Sequence, residues 1–210
     1  MIQGDVALEI AAVVAATLAA LAFQPWGVLR SRELREPWVA ALVMVALAWA
    51  AQSRLPAGLP VILSGACLLV LMFGWPLATV TVFLAAAGVW LGGAGPARAL
   101  ELAVWSGAVP ATLALAIGMA VRRWLPKHLF VYILGRAFAG TALACALAAA
   151  LHVAWLQRAA PGSELPLLTA GWLIAWGEAF LTGGLAAIFV AFRPRWLLTY
   201  SDQRYLPPRA

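Results

Sequence analysis

The chain has 210 residues, of which 65% are hydrophobic and only 10% are charged, and its formal net charge is +6. A soluble domain carries about 25% charged residues, so this composition leaves too little polar surface to face water. It therefore argues against a soluble domain and predicts an integral membrane protein. We expect an all-α bundle, because the long apolar runs lack the period-two alternation of barrel strands.

The predicted elements are about seven transmembrane helices in one integral membrane domain that covers residues 1–210. In chain order, the apolar runs are Val6–Phe23, Trp38–Ala51, Leu59–Phe73, Trp75–Leu91, Leu100–Val121, Leu129–Gln157 and Pro166–Phe192. The first run and the last three are long enough to span about 30 Å of hydrocarbon at 1.5 Å per residue.

The second and third runs are shorter, which leaves an alternative open. In that alternative the count is six elements, because the third and fourth runs together form one re-entrant pair. The segment Gly74-Trp75-Pro76 is the predicted turn between these two runs, since proline is tolerated at the start of a helix but not in its interior.

The distribution of basic residues predicts the orientation. Ten of the fourteen Lys and Arg residues lie in the loops after the first and fifth runs or in the tail, and three lie in the other connections. Cytoplasmic segments of membrane proteins are enriched in such residues. We therefore expect the N-terminus outside and a short basic tail, residues 193–210, in the cytoplasm. This pattern also explains the positive charge without a nucleic-acid partner, and we expect no cleaved signal peptide, because the first basic residue is Arg30.

Four polar residues inside apolar runs are candidate substrate, ion or helix-pairing sites. Glu178 lies midway along the seventh run, and Thr182 follows one turn later on the same helix face. Arg136 lies in the sixth run and Glu9 in the first. Because burying a charge in lipid is expensive, each such residue is a hypothesis of function with a partner to be found.

Arg136 and Glu178 are candidate partners of each other. Counted from the cytoplasmic helix ends, Arg136 is about 10 Å deep and Glu178 about 21 Å deep. An arginine side chain covers only part of this difference. The alternative is that Arg136 extends towards the cytoplasmic headgroups, while Glu178 is neutral or contacts a substrate.

The sequence predicts no metal site, no cofactor and no enzymatic activity. It contains two histidines and two cysteines, without a Cys/His cluster that would hold a transition metal. It also lacks a phosphate-binding Gly-Lys loop, a Gly-x-Ser-x-Gly elbow and a His-Glu-x-x-His pair. Any ATP-driven function would depend on an ATPase from another chain.

Four segments are similar to one family of bacterial membrane proteins. They are Leu125–Ile133 (LPKHLFVYI), Phe192–Leu206 (FRPRWLLTYSDQRYL), Leu71–Ala78 (LMFGWPLA) and Gly177–Thr182 (GEAFLT). These segments resemble energy-coupling-factor transporter permeases, the family of the cobalt and nickel uptake components CbiM and NikM. The resemblance covers about residues 59–206. It implies a substrate-capture component in the bacterial inner membrane, coupled to a transmembrane subunit and cytosolic ATPases.

The chain also departs from this family. Metal-transporting members begin with Met-His, whereas this chain begins Met1-Ile2-Gln3, and the segment Val61–Ala66 lacks the histidine of their third helix. Arg136 lies where the family has a small polar residue. These departures predict a divergent member whose substrate is open. The alternative function is a non-transporting accessory subunit that packs within a larger membrane complex.

Overall fold

The computed structural model describes residues 3–54, 63–159 and 164–205. These residues form seven α-helices and no strand, which confirms the predicted fold class. The helices are α1 (Gln3–Ala22), α2 (Arg32–Ser53), α3 (Ala66–Ala94), α4 (Pro96–Trp124), α5 (Val131–Arg158), α6 (Glu164–Phe192) and α7 (Asp202–Tyr205). Helices α2 to α6 are long and apolar enough to cross a membrane, and α1 contains the shorter apolar stretch Val6–Ala22. The chain is therefore a multi-pass membrane protein.

Helix α3 is the centre of the bundle and is broken near its middle. Of its most apolar stretch 61% is buried, against 11% for α2, which lies at the periphery. The break is at Gly74, where φ is 78° and ψ is 162°. Only glycine adopts this conformation readily. Pro76 follows two residues later, in the first turn of the next helical segment. A backbone N–H at this position has no partner within the helix, so proline is tolerated there. We call residues 66–73 the short arm and residues 75–94 the long arm.

The two arms form a hairpin, as their contacts with α4 show. On the short-arm side, Ser64 Oγ donates to the carbonyl of Ser106 at 2.5 Å. At the turn, Trp75 Nε1 donates to Thr112 Oγ1 at 3.0 Å, about one and a half turns further along α4. On the long arm, Val82 packs back against the residue that follows Ser106. The chain thus reverses direction at the predicted turn.

The start of the short arm differs from the predicted third run, Leu59–Phe73. Residues 59–62 lie outside the described part of the chain, and residues 63–65 are not helical. Gly65 has a φ of 69°, in the left-handed region, so the helix begins only at Ala66. The short arm has eight residues and is about 12 Å long, so by itself it does not cross the membrane.

The C-terminal tail packs under the hairpin. The backbone N–H groups of Leu198 and Thr199 donate to the carbonyls of Met72 and Leu71 at 2.9 and 3.3 Å. The Thr199 hydroxyl also donates to Leu71 at 2.8 Å and lies 2.9 Å from the Tyr132 hydroxyl. These bonds satisfy carbonyls at the end of the short arm that no further helical turn reaches.

Three basic segments meet at one end of the bundle. In the tail, Arg195 pairs with Glu33 of α2 at 2.7 Å. Arg122 and Lys127, from the end of α4 and the loop after it, line one cavity together with Tyr205 of α7. We call this the basic end.

Candidate functional site

Glu178 is buried in the middle of α6 and caps the short arm of α3. Its side chain is 2% exposed. The N–H of Gly65 donates to both carboxylate oxygens, at 3.0 Å to Oε1 and 3.3 Å to Oε2. A helix N-terminus presents unpaired N–H groups and a partial positive charge, so a carboxylate there is favourable even in a dry interior.

The residues around Glu178 form a polar layer between α3, α4, α5 and α6. Ser64 accepts a hydrogen bond from the N–H of Ala66 at 3.1 Å. Thr182, one turn further along α6, is 1% exposed. The thiols of Cys67 and Cys145 are 3.8 Å apart, and both are free and buried. The layer is thus packed by protein on the sides that the structure describes.

Glu9 is a second buried carboxylate, on α1. It is 6% exposed, and Trp105 Nε1 donates to its Oε1 at 2.9 Å. Its other oxygen, Oε2, is buried without a hydrogen-bond partner among the described residues. A buried acceptor without a donor is unfavourable, so this oxygen is open to a cation or a donor group.

Aromatic and charged side chains surround the Glu9 contact. Trp105 stacks on His152, with ring centroids 4.8 Å apart and planes 13° apart. His152 Nε2 lies 3.7 Å from Glu101 Oε1, and Arg98 bonds the other oxygen of Glu101 at 2.7 Å. This cluster lies near the start of α4 and the end of α5, far along both helices from the basic end.

A π-helical segment of α4, Leu102–Ala108, connects the two carboxylate sites. Two consecutive residues of it point to different sites. The Trp105 indole bonds Glu9, while the Ser106 carbonyl accepts from Ser64, beside the Glu178 cap. π-Helical turns inside α-helices are frequent at functional sites, because they turn side chains out of the regular helical register.

Arg136 lies apart from these sites, and the structure does not join it to Glu178 in an ion pair. It is 7% exposed, and its Nε faces Gly118 of α4 so closely that an added methyl there would come within 3.0 Å. Its guanidinium carbon is 6.0 Å from the centre of the Tyr132 ring. Arg136 therefore belongs to the basic end, and the two charges have separate environments.

The four site residues predicted from the sequence are all buried, but the partners of the two carboxylates were not predicted. Gly65 and Trp105, which bond Glu178 and Glu9, were not among the predicted site residues. Trp105 carries a recognisable signal, because an indole N–H buried within a membrane helix needs an acceptor. In the described residues, no group of three or more His, Cys, Asp and Glu side chains has the arrangement of a metal site.

Comparisons of the chain with protein-family models, with curated proteins and with solved structures give no significant match.

Proposed function

We propose that this protein is the membrane-embedded substrate-capture component of an energy-coupling-factor-type transporter in the bacterial inner membrane. It is related to the cobalt and nickel uptake permeases, and its own substrate is not assigned to either metal. It has no catalytic step of its own. Cytosolic ATPases, reached through a transmembrane coupling subunit, supply the energy.

The observation that carries this proposal is the broken helix α3 and its Glu178 cap. Glu178 is at the midpoint of the apolar stretch Leu165–Phe192, so the short arm begins near the middle of the bilayer. Secondary transporters commonly build substrate sites there, from half-helices that begin or end inside the membrane. A half-helix is costly in lipid unless its free ends are satisfied, and here both ends have hydrogen-bond partners, which supports a built-in role for the short arm.

The two buried carboxylates have different roles in this proposal. Glu178 is occupied by Gly65, so it braces the half-helix. One oxygen of Glu9 has no partner in the part of the chain that the structure describes, so Glu9 is the better candidate for direct contact with a cationic or hydrogen-bond-donating substrate. The π-helical segment between them connects substrate contact at Glu9 with the position of the short arm.

The proposed orientation has the N-terminus outside and the C-terminus in the cytoplasm. It is supported by the basic end, where the loop residues Arg122 and Lys127 and the tail residue Arg195 meet. The Glu9 cluster then lies on the outer side, from which an importer receives its substrate.

A second candidate function is an accessory subunit of a larger membrane complex. It is favoured by the close packing around Glu178, where Glu178, Thr182 and Ser64 are 2%, 1% and 6% exposed. In this function the Glu178 cap is purely structural, and the peripheral helix α2 provides a face for a partner.

Affinity purification from the native membrane in mild detergent separates the two functions. The tagged chain should retain a transmembrane coupling subunit and cytosolic ATPases, identified by mass spectrometry. Recovery of subunits of a respiratory or photosynthetic complex, without ATPases, would overturn the transporter proposal. The Glu9→Gln variant is the control for assembly, because it should keep the same partners while losing the substrate-dependent ATPase stimulation of the purified complex.

A further inference from the structure

A cavity of about 120 Å³ opens at the basic end, between the end of α4, the start of α5 and the tail. Its charged lining residues are Arg122, Lys127 and Arg136, and its polar hydroxyls come from Tyr132 and Tyr205. Within residues 3–54, 63–159 and 164–205, no acidic residue lines it. We call it the Arg136 cavity. Three positive charges thus face one space, and the described part of its wall contains no counter-charge.

Arg136 distinguishes this cavity from an ordinary basic surface. Its side chain is more than nine-tenths buried, and its Nε and Nη1 have no hydrogen-bond partner among the described residues. A buried charge is normally paired and hydrogen-bonded, because both desolvation and the missing bonds are unfavourable. The neighbouring Tyr132 ring offers a weak cation–π contact and Tyr205 a side-chain hydrogen bond, and both are uncharged phenols. The described residues therefore place no negative charge beside Arg136.

The shape and chemistry of the cavity fit a phosphate group. A guanidinium presents paired donors that match phosphate oxygens, and a lysine adds a mobile point charge. A volume of about 120 Å³ is several times the roughly 30 Å³ that one water occupies in the liquid, so a tetrahedral oxyanion fits. A chloride ion alone would leave most of the donors unused.

The position of the cavity favours a lipid as the source of this phosphate. Trp124 and Phe130 flank the loop that forms its wall, and they are 77% and 65% exposed. Exposed aromatic rings beside basic residues are typical of the headgroup level of a membrane. Basic pockets between transmembrane helices on the cytoplasmic side bind anionic lipid headgroups.

We propose that the Arg136 cavity is a binding site for a phosphate group, provided by the headgroup of an anionic phospholipid or by a soluble phosphate compound. Arg136 holds the anion from inside the bundle, and Arg122 and Lys127 close over it from the loop side. This site is independent of the carboxylate sites and of the transporter proposal.

Native mass spectrometry of the full chain tests the site. The protein is released from nanodiscs that contain equal amounts of phosphatidylglycerol and phosphatidylcholine, or is titrated in neutral detergent with inorganic phosphate. We expect selective retention of phosphatidylglycerol and about tenfold weaker binding in Arg136→Gln, since a hydrogen bond to a charged group is lost. Arg123→Gln, which removes a neighbouring charge outside the cavity, is the matched control and should bind as the wild type does.

Two further variants keep the test decisive if Arg136→Gln does not fold. Gly118→Ala keeps every charge but places a methyl within 3.0 Å of the Arg136 Nε, so it should displace the guanidinium and weaken binding. The double variant Arg122→Gln and Lys127→Gln changes only exposed side chains and should weaken it too. Retention of phosphatidylglycerol alone identifies a lipid source, and binding of inorganic phosphate identifies a soluble one. Equal binding by the wild type and all these variants would overturn the proposal. So would equal retention of phosphatidylglycerol and phosphatidylcholine together with no binding of inorganic phosphate.

Discussion

At the residue scale, the three buried charges of this protein have three different environments. Glu178 accepts a hydrogen bond from a backbone N–H, and Glu9 accepts one from an indole N–H. Arg136 lies over Gly118 beside a cavity. The sequence was sufficient to find these residues, because a charge within an apolar run is conspicuous. It was not sufficient to find their partners, since depth along a helix says nothing about rotation around its axis.

The pairing of Arg136 with Glu178 illustrates this limit. Their expected difference in depth, about 11 Å, already argued against direct contact. The actual partner of Glu178, Gly65, lies in a segment whose apolar residues predict a helix. Gly65 has a positive φ, which hydropathy does not report. In this conformation its N–H donates a hydrogen bond to the Glu178 carboxylate.

Replacing Glu178 should therefore separate its hydrogen bond from its charge. Glu178→Ala leaves the Gly65 N–H buried and unpaired, and we expect unfolding in detergent to become easier by about 1–3 kcal/mol. Glu178→Gln keeps one carbonyl acceptor and should cost clearly less. Thermal unfolding of the purified variants measures both, with Glu36→Ala as the exposed control. Equal stability of Glu178→Ala and the control would show that the cap contributes nothing.

At the scale of elements, the hairpin of α3 decides the architecture. The turn at Gly74-Trp75-Pro76 was predictable, because glycine and proline have positional meaning that a hydrophobic context does not hide. The start of the short arm was not predictable, because residues 63–65 are as apolar or small as helical ones. The position at which the short arm begins depends on a contact with Glu178, 113 residues further along the chain.

Alanine at two glycines should have opposite effects. At Gly74, space is adequate, with the nearest atom 3.4 Å from an added methyl, so the cost comes from a φ of 78°. We expect Gly74→Ala to destabilise the protein by about 1–3 kcal/mol. At Gly177, inside α6, nothing lies within 4 Å, and Gly177→Ala should be neutral or stabilising by up to about 1 kcal/mol. Chemical or thermal unfolding compares them, and a stable Gly74→Ala protein would contradict the hairpin.

The docked tail should respond to alkaline pH through Tyr200. Burial, together with a hydrogen bond to Asp202, raises the pKa of Tyr200 from 10.0 to about 12. The folded state thus holds this proton more tightly than the unfolded state does. The resulting stability is fully present below pH 10 and is lost as the pH rises towards 12. The measurement is unfolding across this range, where Tyr200→Phe should lose less stability than the wild type; parallel pH profiles would contradict it.

At the scale of the whole molecule, the structure gives the basic residues a common end. The sequence predicted this from loop composition alone, because short basic loops remain in the cytoplasm. The structure adds side-to-side contacts, such as Arg195 with Glu33, between segments that are distant in the chain. The side of the membrane that this end faces remains a prediction.

Labelling of single cysteines in intact cells tests the orientation. In a background with Cys67→Ala and Cys145→Ala, an impermeant maleimide should label Gly92→Cys but not Arg123→Cys. Both positions are exposed, so accessibility depends on the side of the membrane and not on burial. Lysed membranes, in which both should react, are the control. The reverse pattern in intact cells would invert the proposed orientation and place the Glu9 cluster inside.

The short arm also has a consequence for biosynthesis. The N–H of Gly65, just before the short arm, is paired with Glu178, and the last carbonyls of the arm are paired with Leu198 and Thr199, up to 128 residues further along the chain. During synthesis, most of the polypeptide must leave the ribosome before the hydrogen bonds at either end of this half-helix can form. Premature termination in the final stretch would therefore leave a nascent chain with an unfinished centre, a natural target for membrane quality-control proteases.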